Sequence, residues 1–168
     1  MQPNIAHIWT RFNKSWAISG VLSGLGAGLA MILAASLLGQ MAGEELFFAP
    51  KLIGAALLGG KALAVDSSAG IWAGLTIHFT LSAFFGLVFA QTIRETARKR
   101  ILLALGLMGG MAVWLFWCMM FMPSFNQPML FLLPKLTALA LHLLFGLVFS
   151  LLLITLRATI ISTDSAVT

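Results

Sequence analysis

The sequence predicts an all-α integral membrane protein, a four-helix bundle built from two helical hairpins that repeat in the same orientation. The chain of 168 residues is 60% hydrophobic and only 9% charged, which is outside the range of soluble globular domains. Four apolar stretches each reach the roughly 20 residues needed to cross a bilayer, and none has an acidic residue or an arginine in its interior. They use more than half of the chain, so we expect one membrane domain over residues 1–168. The predicted spans are Trp16–Met41, Ile71–Ile93, Ile101–Phe121 and Pro134–Leu156.

The basic residues predict the orientation of these spans. A net charge of +5 can indicate nucleic-acid binding, but here the charges lie mainly at the ends of the spans, so we expect the lipid bilayer and no nucleic acid as partner. Because basic residues accumulate on the cytoplasmic side, both termini are predicted to be cytoplasmic. Seven basic residues fall on that side, Arg11, Lys14, Arg94, Arg98, Lys99, Arg100 and Arg157, against Lys51, Lys61 and Lys135 on the other.

The first apolar stretch follows a basic region and resembles a signal peptide, with Ala34-Ala35-Ser36 as a conceivable cleavage zone. It is longer than the usual core of about 7–15 residues, so we expect it to be retained as the first span. Trp16 and Trp72 fall near span boundaries and are predicted to be interfacial anchors, His7 is predicted to be solvated, and Thr159–Thr168 is predicted to be a polar cytoplasmic tail.

Small residues recur about every four positions in each span and line one helix face. This spacing lets helix backbones approach closely, which is how helices associate in a membrane. The glycines predicted to form these packing seams are Gly20, Gly24, Gly28, Gly74, Gly86, Gly106, Gly110 and Gly146.

The connection Glu44–Gly70 is predicted to lie outside the cytoplasm. Pro50 suits the first turn of a helix and Gly59-Gly60 suits its end, so we expect a short interfacial helix over residues 50–58. It is too short to span. It can be a connector packed on the bundle or a re-entrant element lining a cavity.

Three short sequence motifs occur twice. Phe85-Gly86-Leu87-Val88-Phe89 recurs sixty residues later, as Phe145-Gly146-Leu147-Val148-Phe149. Gly24 and Gly28 match Gly106 and Gly110, and Pro50-Lys51-Leu52 matches Pro134-Lys135-Leu136. Because each copy has two spans, the predicted repeat is parallel, and the first copy carries about 24 extra residues between its helices.

His78 and His142 are the candidate cofactor ligands. Both lie within spans on the stripe of small residues, so both imidazoles are expected to face the bundle interior, where a polar side chain suggests function. Two inward histidines can clamp a haem iron or bind a chlorophyll-type magnesium. The repeat pairs His142 with Ser82, which places the histidines one turn apart. The alternative is that each histidine hydrogen-bonds to a carbonyl or serine across a helix seam.

Cys118 and Met122 form a second candidate site, for Cu(I). They share a helix face, with Met119 and Met120 between them and Met129 just beyond, and thiolate and thioether ligands suit this ion. The alternative is that these methionines fill the apolar core. Cys118 is the only cysteine, so no intramolecular disulfide can form.

The order of small motifs resembles a loose group of uncharacterised four-span bacterial inner-membrane proteins, over about Gly20–Ile154. The motifs are Gly24-x3-Gly28-x2-Met31, Pro50-x-Leu52-Ile53-Gly54, Gly74-x3-His78 with Gly86, Gly106-x3-Gly110-x3-Trp114, Met122-Pro123 and His142-x3-Gly146. The resemblance implies a bacterial inner membrane and brings no activity with it.

The spans contain no acidic residue for a proton relay, and the chain has no nucleotide-binding loop and no Ser/His/Asp set. We therefore expect a non-enzymatic accessory or structural subunit of a larger membrane complex, respiratory or photosynthetic, with other integral membrane subunits as partners. The alternatives are a small dimeric transporter or channel and a haem- or copper-binding redox protein that uses His78 and His142; the cofactor itself stays unknown.

Overall fold

The computed structural model describes residues 13–93 and 96–166, with no side chain described from residue 158 onward. This part of the chain is helical almost throughout and contains no strand. The helices are α1 (Lys14–Met41), α2 (Phe48–Leu58), α3 (Ser68–Thr92), α4 (Lys99–Phe125), α5 (Gln127–Leu132) and α6 (Lys135–Ala166), and a 3-10 segment, Gly59–Leu63, follows α2.

Among the described residues, four helices are long and apolar enough to cross a membrane: α1, α3, α4 and the part of α6 up to Arg157. This confirms the predicted helical, multi-pass membrane protein. Their outer faces carry large apolar side chains such as Leu22, Leu33 and Leu151, which suits contact with lipid. The last helix continues to Ala166, so residues 159–166 of the predicted tail are helical. His7, Arg11 and Arg94 lie outside the described residues.

Side chains that cap the helix start mark the beginnings of α1 and α3, and a π-helical turn interrupts α4. The side chain of Asn13 accepts a hydrogen bond from the backbone N–H of Trp16 at the start of α1, and Ser67 accepts one from Gly70 at the start of α3. In α4 the turn Trp117–Phe121 is a wider π-helical turn. It lies directly before Pro123, which cannot donate a backbone hydrogen bond and so disturbs the regular ladder.

Two glycine seams hold the spanning helices together. A side chain at Gly24 in α1 would place its Cβ against the carbonyl oxygen of Ser82 in α3, and Gly86 lies equally close to Gly20. In the same way Gly110 in α4 lies against the carbonyl of His142 in α6. Such close backbone approach increases van der Waals contact between helices in lipid.

The two glycine seams have the same pattern of contacts. These contacts align the two hairpins differently from the repeated sequence motifs. Gly24 contacts Gly86 in the first seam, and Gly110 contacts Gly146 in the second. Because Gly86 and Gly146 are equivalent in the repeat, these contacts make Gly24 equivalent to Gly110. The sequence motifs instead pair Gly24 with Gly106, one helical turn away. The repeat itself stays a prediction.

The packing of the bundle is not symmetric. Helix α1 packs closely on α3 and α6, and α6 also packs on α4. Helices α3 and α4 approach each other less closely; a large side chain, Phe89, extends from α3 to Gly109 of α4. A lateral gap remains between these two helices toward the end that carries α2.

Helix α2 packs along the first turns of α3. Gly54 contacts Gly70 and Pro50 contacts Gly74, so the two helices run in opposite directions. Lys51, predicted to be one of three outer charges, is only 1% exposed: its Nζ donates to Glu45 Oε1 at 2.5 Å and to the carbonyls of Ala64 and Val65 at 2.9 and 2.6 Å. Its matched residue in the sequence repeat, Lys135, is exposed at the start of α6.

Trp16 is buried rather than placed as the exposed interfacial anchor that the sequence predicts. It is 5% exposed, and its Nε1 donates to the carbonyls of Ala90 at 2.5 Å and Ile93 at 3.1 Å. Those carbonyls belong to the end of α3, where helix acceptors lack partners, so Trp16 closes that end. Trp72 is 68% exposed, as an interfacial residue should be.

Candidate functional site

A cavity of about 70 Å³ lies inside the bundle, and both histidines line it. Its wall also includes Ser82 of α3, Met31 of α1 and Met129 of α5. The remaining lining side chains are apolar or aromatic: Ile53, Ile77, Leu81, Phe85, Val113, Trp117 and Phe145. Every helix of the fold therefore contributes at least one residue to this space.

His78 is held across the seam between α1 and α3. Its Nε2 lies 2.8 Å from the carbonyl oxygen of Gly28, and its ring packs edge-on against Phe79. A carbonyl oxygen only accepts, so Nε2 carries the proton. A hydrogen bond across the helix seam is the alternative to cofactor binding that the sequence analysis described for this histidine.

His142 is held by its own helix instead. Its Nδ1 lies 2.7 Å from the carbonyl oxygen of Ala138, one turn earlier in α6, so Nδ1 carries the proton. Within the described part of the chain, His78 Nδ1 and His142 Nε2 make no hydrogen bond. In its neutral form each imidazole keeps one nitrogen lone pair, and the residues His78 and His142 are 9% and 8% exposed and line the same cavity.

The cavity does not fit a porphyrin. Pockets that bind cofactors and drug-sized ligands have volumes of about 300–1,000 Å³, whereas this space measures about 70 Å³. The space is large enough for a few water molecules or one ion.

Cys118 and Met122 lie elsewhere. Both are buried, at 6% and 2% exposure, in an apolar cluster with Leu52 and Trp117, and neither lines the histidine cavity. Met119 and Met120 are 62% and 64% exposed on the outer face of α4. Among the described residues, no three His, Cys, Asp or Glu side chains group together as a metal site.

Met31 is a cavity residue that the sequence analysis did not connect with the histidines, whereas Met129 already belonged to the predicted copper set. Met31 follows Gly28 by one turn, so its spacing could have placed it on the seam face of α1. Met129 reaches the cavity because α5 folds back over the bundle. Asn126, fully buried, fixes that turn: its Nδ2 donates to Leu52 O at 3.0 Å and contacts Met129 Sδ at 3.6 Å.

A second space opens on the outside of the bundle. A groove of about 660 Å³ lies between α3 and α4, and α2 closes one end of it. Trp117, Phe121 and Phe125 form a stacked series of rings along its α4 wall, with centroids 4.4 and 4.7 Å apart. Its α3 wall carries Thr76, Thr80 and Phe84. Ile77, Leu81, Phe85 and Trp117 line both spaces, so groove and cavity are neighbours.

No protein-family model matches this chain, and the comparisons with curated proteins and with solved structures also found no match.

Proposed function

We propose that this protein is a non-enzymatic accessory subunit of a larger membrane complex and that the groove between α3 and α4 receives a transmembrane helix of another subunit. The observation that supports this is the groove itself. It lies where two spanning helices are not closely packed, and its volume of about 660 Å³ is in the range of a binding site rather than a packing defect.

The chemistry of the groove favours a protein helix over a lipid chain. Thr76 and Thr80 lie one turn apart on α3 and are the hydroxyl-bearing residues in an otherwise apolar groove lining. A hydroxyl has no partner in a lipid tail, whereas threonines hydrogen-bond between helices in membranes. Phe84, Phe116 and Phe125 are 55%, 48% and 61% exposed and can cover a neighbouring helix.

The proposal includes a bacterial inner membrane, two cytoplasmic termini and two parallel hairpins. The bias of basic residues supports the orientation. The recurrence of Phe-Gly-Leu-Val-Phe and the equivalent glycine contacts in the two seams support the hairpins.

Photo-crosslinking in the native membrane tests the docking groove. A photoreactive residue at Thr80 or Phe84 should give an adduct with one integral membrane protein, and Thr80→Trp should abolish its co-purification by filling the groove. The matched controls are Leu22 and Leu33, which are exposed to a similar degree on α1. Equal adducts from both faces, or a protein that purifies alone and gives no adduct, would contradict the proposal.

The transporter alternative has a separate test. A path through the bundle would pass the histidines, so flux into proteoliposomes that His78→Ala abolishes would support it. Flux that is equal in empty and protein-containing vesicles would exclude it for the solutes examined.

A further inference from the structure

We infer that the cavity is a Cu(I) site whose ligands are His78, His142, Met31 and Met129. These two histidines and two methionines line one space of about 70 Å³, to which α1, α3, α5 and α6 contribute. The assignment differs from the sequence hypothesis of Cys118 and Met122, which lie outside this space. None of the four proposed ligands lines the neighbouring docking groove, so the two proposals can be tested separately.

The hydrogen bonds of the histidines resemble those of metal ligands. A metal-bound histidine usually donates its other ring N–H to a carbonyl or carboxylate, which fixes the ring and the tautomer. Here Gly28 O accepts a hydrogen bond from His78 Nε2–H, and Ala138 O accepts one from His142 Nδ1–H. The nitrogens left over, Nδ1 and Nε2 respectively, are the ones that carry the lone pairs a metal needs.

The sulfur ligands select the metal. Thioethers are soft ligands that favour Cu(I), while Zn²⁺ takes thiolate, imidazole and carboxylate. Met129 is 8% exposed, and Asn126 contacts its sulfur at 3.6 Å and accepts from its backbone N–H at 3.1 Å, which fixes the residue at the cavity. Met31 has three rotatable side-chain bonds and can adjust its sulfur to an ion.

The charge also favours a monovalent ion. All four ligands are neutral, and no acidic residue lies within the spans. A bound ion would therefore keep its full charge in a low-dielectric interior, where the desolvation cost is high and is smaller for one charge than for two. The hydroxyl of Ser82, at the same cavity, adds a polar contact.

Competition with a coloured Cu(I) chelator tests the site. Full-length protein in detergent receives copper with ascorbate, and bicinchoninate competes for it. We expect one Cu(I) per chain and at least tenfold weaker retention in Met31→Leu, Met129→Leu and His142→Asn. Cys118→Ser and Met119→Leu, which alter sulfur residues away from the cavity, should retain copper like the wild type.

X-ray absorption of the copper-loaded protein gives an independent result. The site predicts both nitrogen and sulfur neighbours around copper, with sulfur lost in the double variant Met31→Leu/Met129→Leu. The leucine substitutions conserve volume and apolarity, so folding is expected to persist; the elution profile of each variant checks it. Absence of copper from the wild type, retention in all three cavity variants, or loss in Cys118→Ser would overturn the inference.

Discussion

Gly24 shows how little space separates α1 from α3. A Cβ at this position would press on the carbonyl of Ser82, which is backbone and cannot rotate away. We expect Gly24→Ala to lower stability by about 1–3 kcal/mol, as overpacking does, and Gly24→Leu to open the seam. Thermal unfolding in detergent measures this. Gly60→Ala is the control, since no atom lies within 4 Å of its Cβ position; equal losses in both variants would argue against a tight seam.

The indole N–H of Trp16 donates hydrogen bonds to carbonyls at the C-terminal end of α3. Replacing it by phenylalanine keeps an aromatic ring but removes the donor to Ala90 O and Ile93 O. We expect Trp16→Phe to lower stability by about 1–2 kcal/mol, because two buried acceptors lose their partner. Trp72→Phe, at an exposed position, should change little. A smaller effect at Trp16 than at Trp72 would mean that the indole N–H does not support α3.

At the scale of elements, Lys51 fastens α2 to the segment that leads into α3. Its ammonium joins Glu45 to the carbonyls of Ala64 and Val65. Lys51→Met should remove this donor from Glu45 and Val65 O at a cost of about 1–3 kcal/mol, while Ala64 O keeps the backbone N–H of Ser67 as a donor. Hydrogen exchange over residues 60–67 should become faster. Lys61→Met, which removes an exposed lysine, is the control. Unchanged exchange in Lys51→Met would show that α2 is held by apolar packing alone.

The sequence predicted the spanning helices well because each is a long apolar run with small residues on one face. It also predicted that His78 and His142 line the interior, since both lie on that face. The features that the sequence did not predict depend on tertiary contacts. The burial of Lys51 depends on carbonyls thirteen and fourteen residues away. The place of Met129 depends on Asn126 reaching Leu52, and no local pattern contains that information.

At the scale of the whole molecule, the orientation can be measured directly. A reporter fused after Arg100 should behave as cytoplasmic, and one inserted near Asp66 should behave as external, because basic residues are retained on the cytoplasmic side. Alkaline phosphatase and a fluorescent protein report opposite sides. The reverse pattern would place the groove end covered by α2 toward the cytoplasm.

The asymmetric packing has a consequence for biosynthesis. Helices α1 and α3 emerge from the ribosome before α4 and α6, and together they form a complete glycine seam. Helix α4 follows, and its seam partner, α6, is synthesised after it. Until α6 is made, the face of Gly106 and Gly110 lacks that partner. Helix α6 therefore completes the packing of both α1 and α4, and a chain that stops before Lys135 would present α4 to membrane quality control as an unassembled segment.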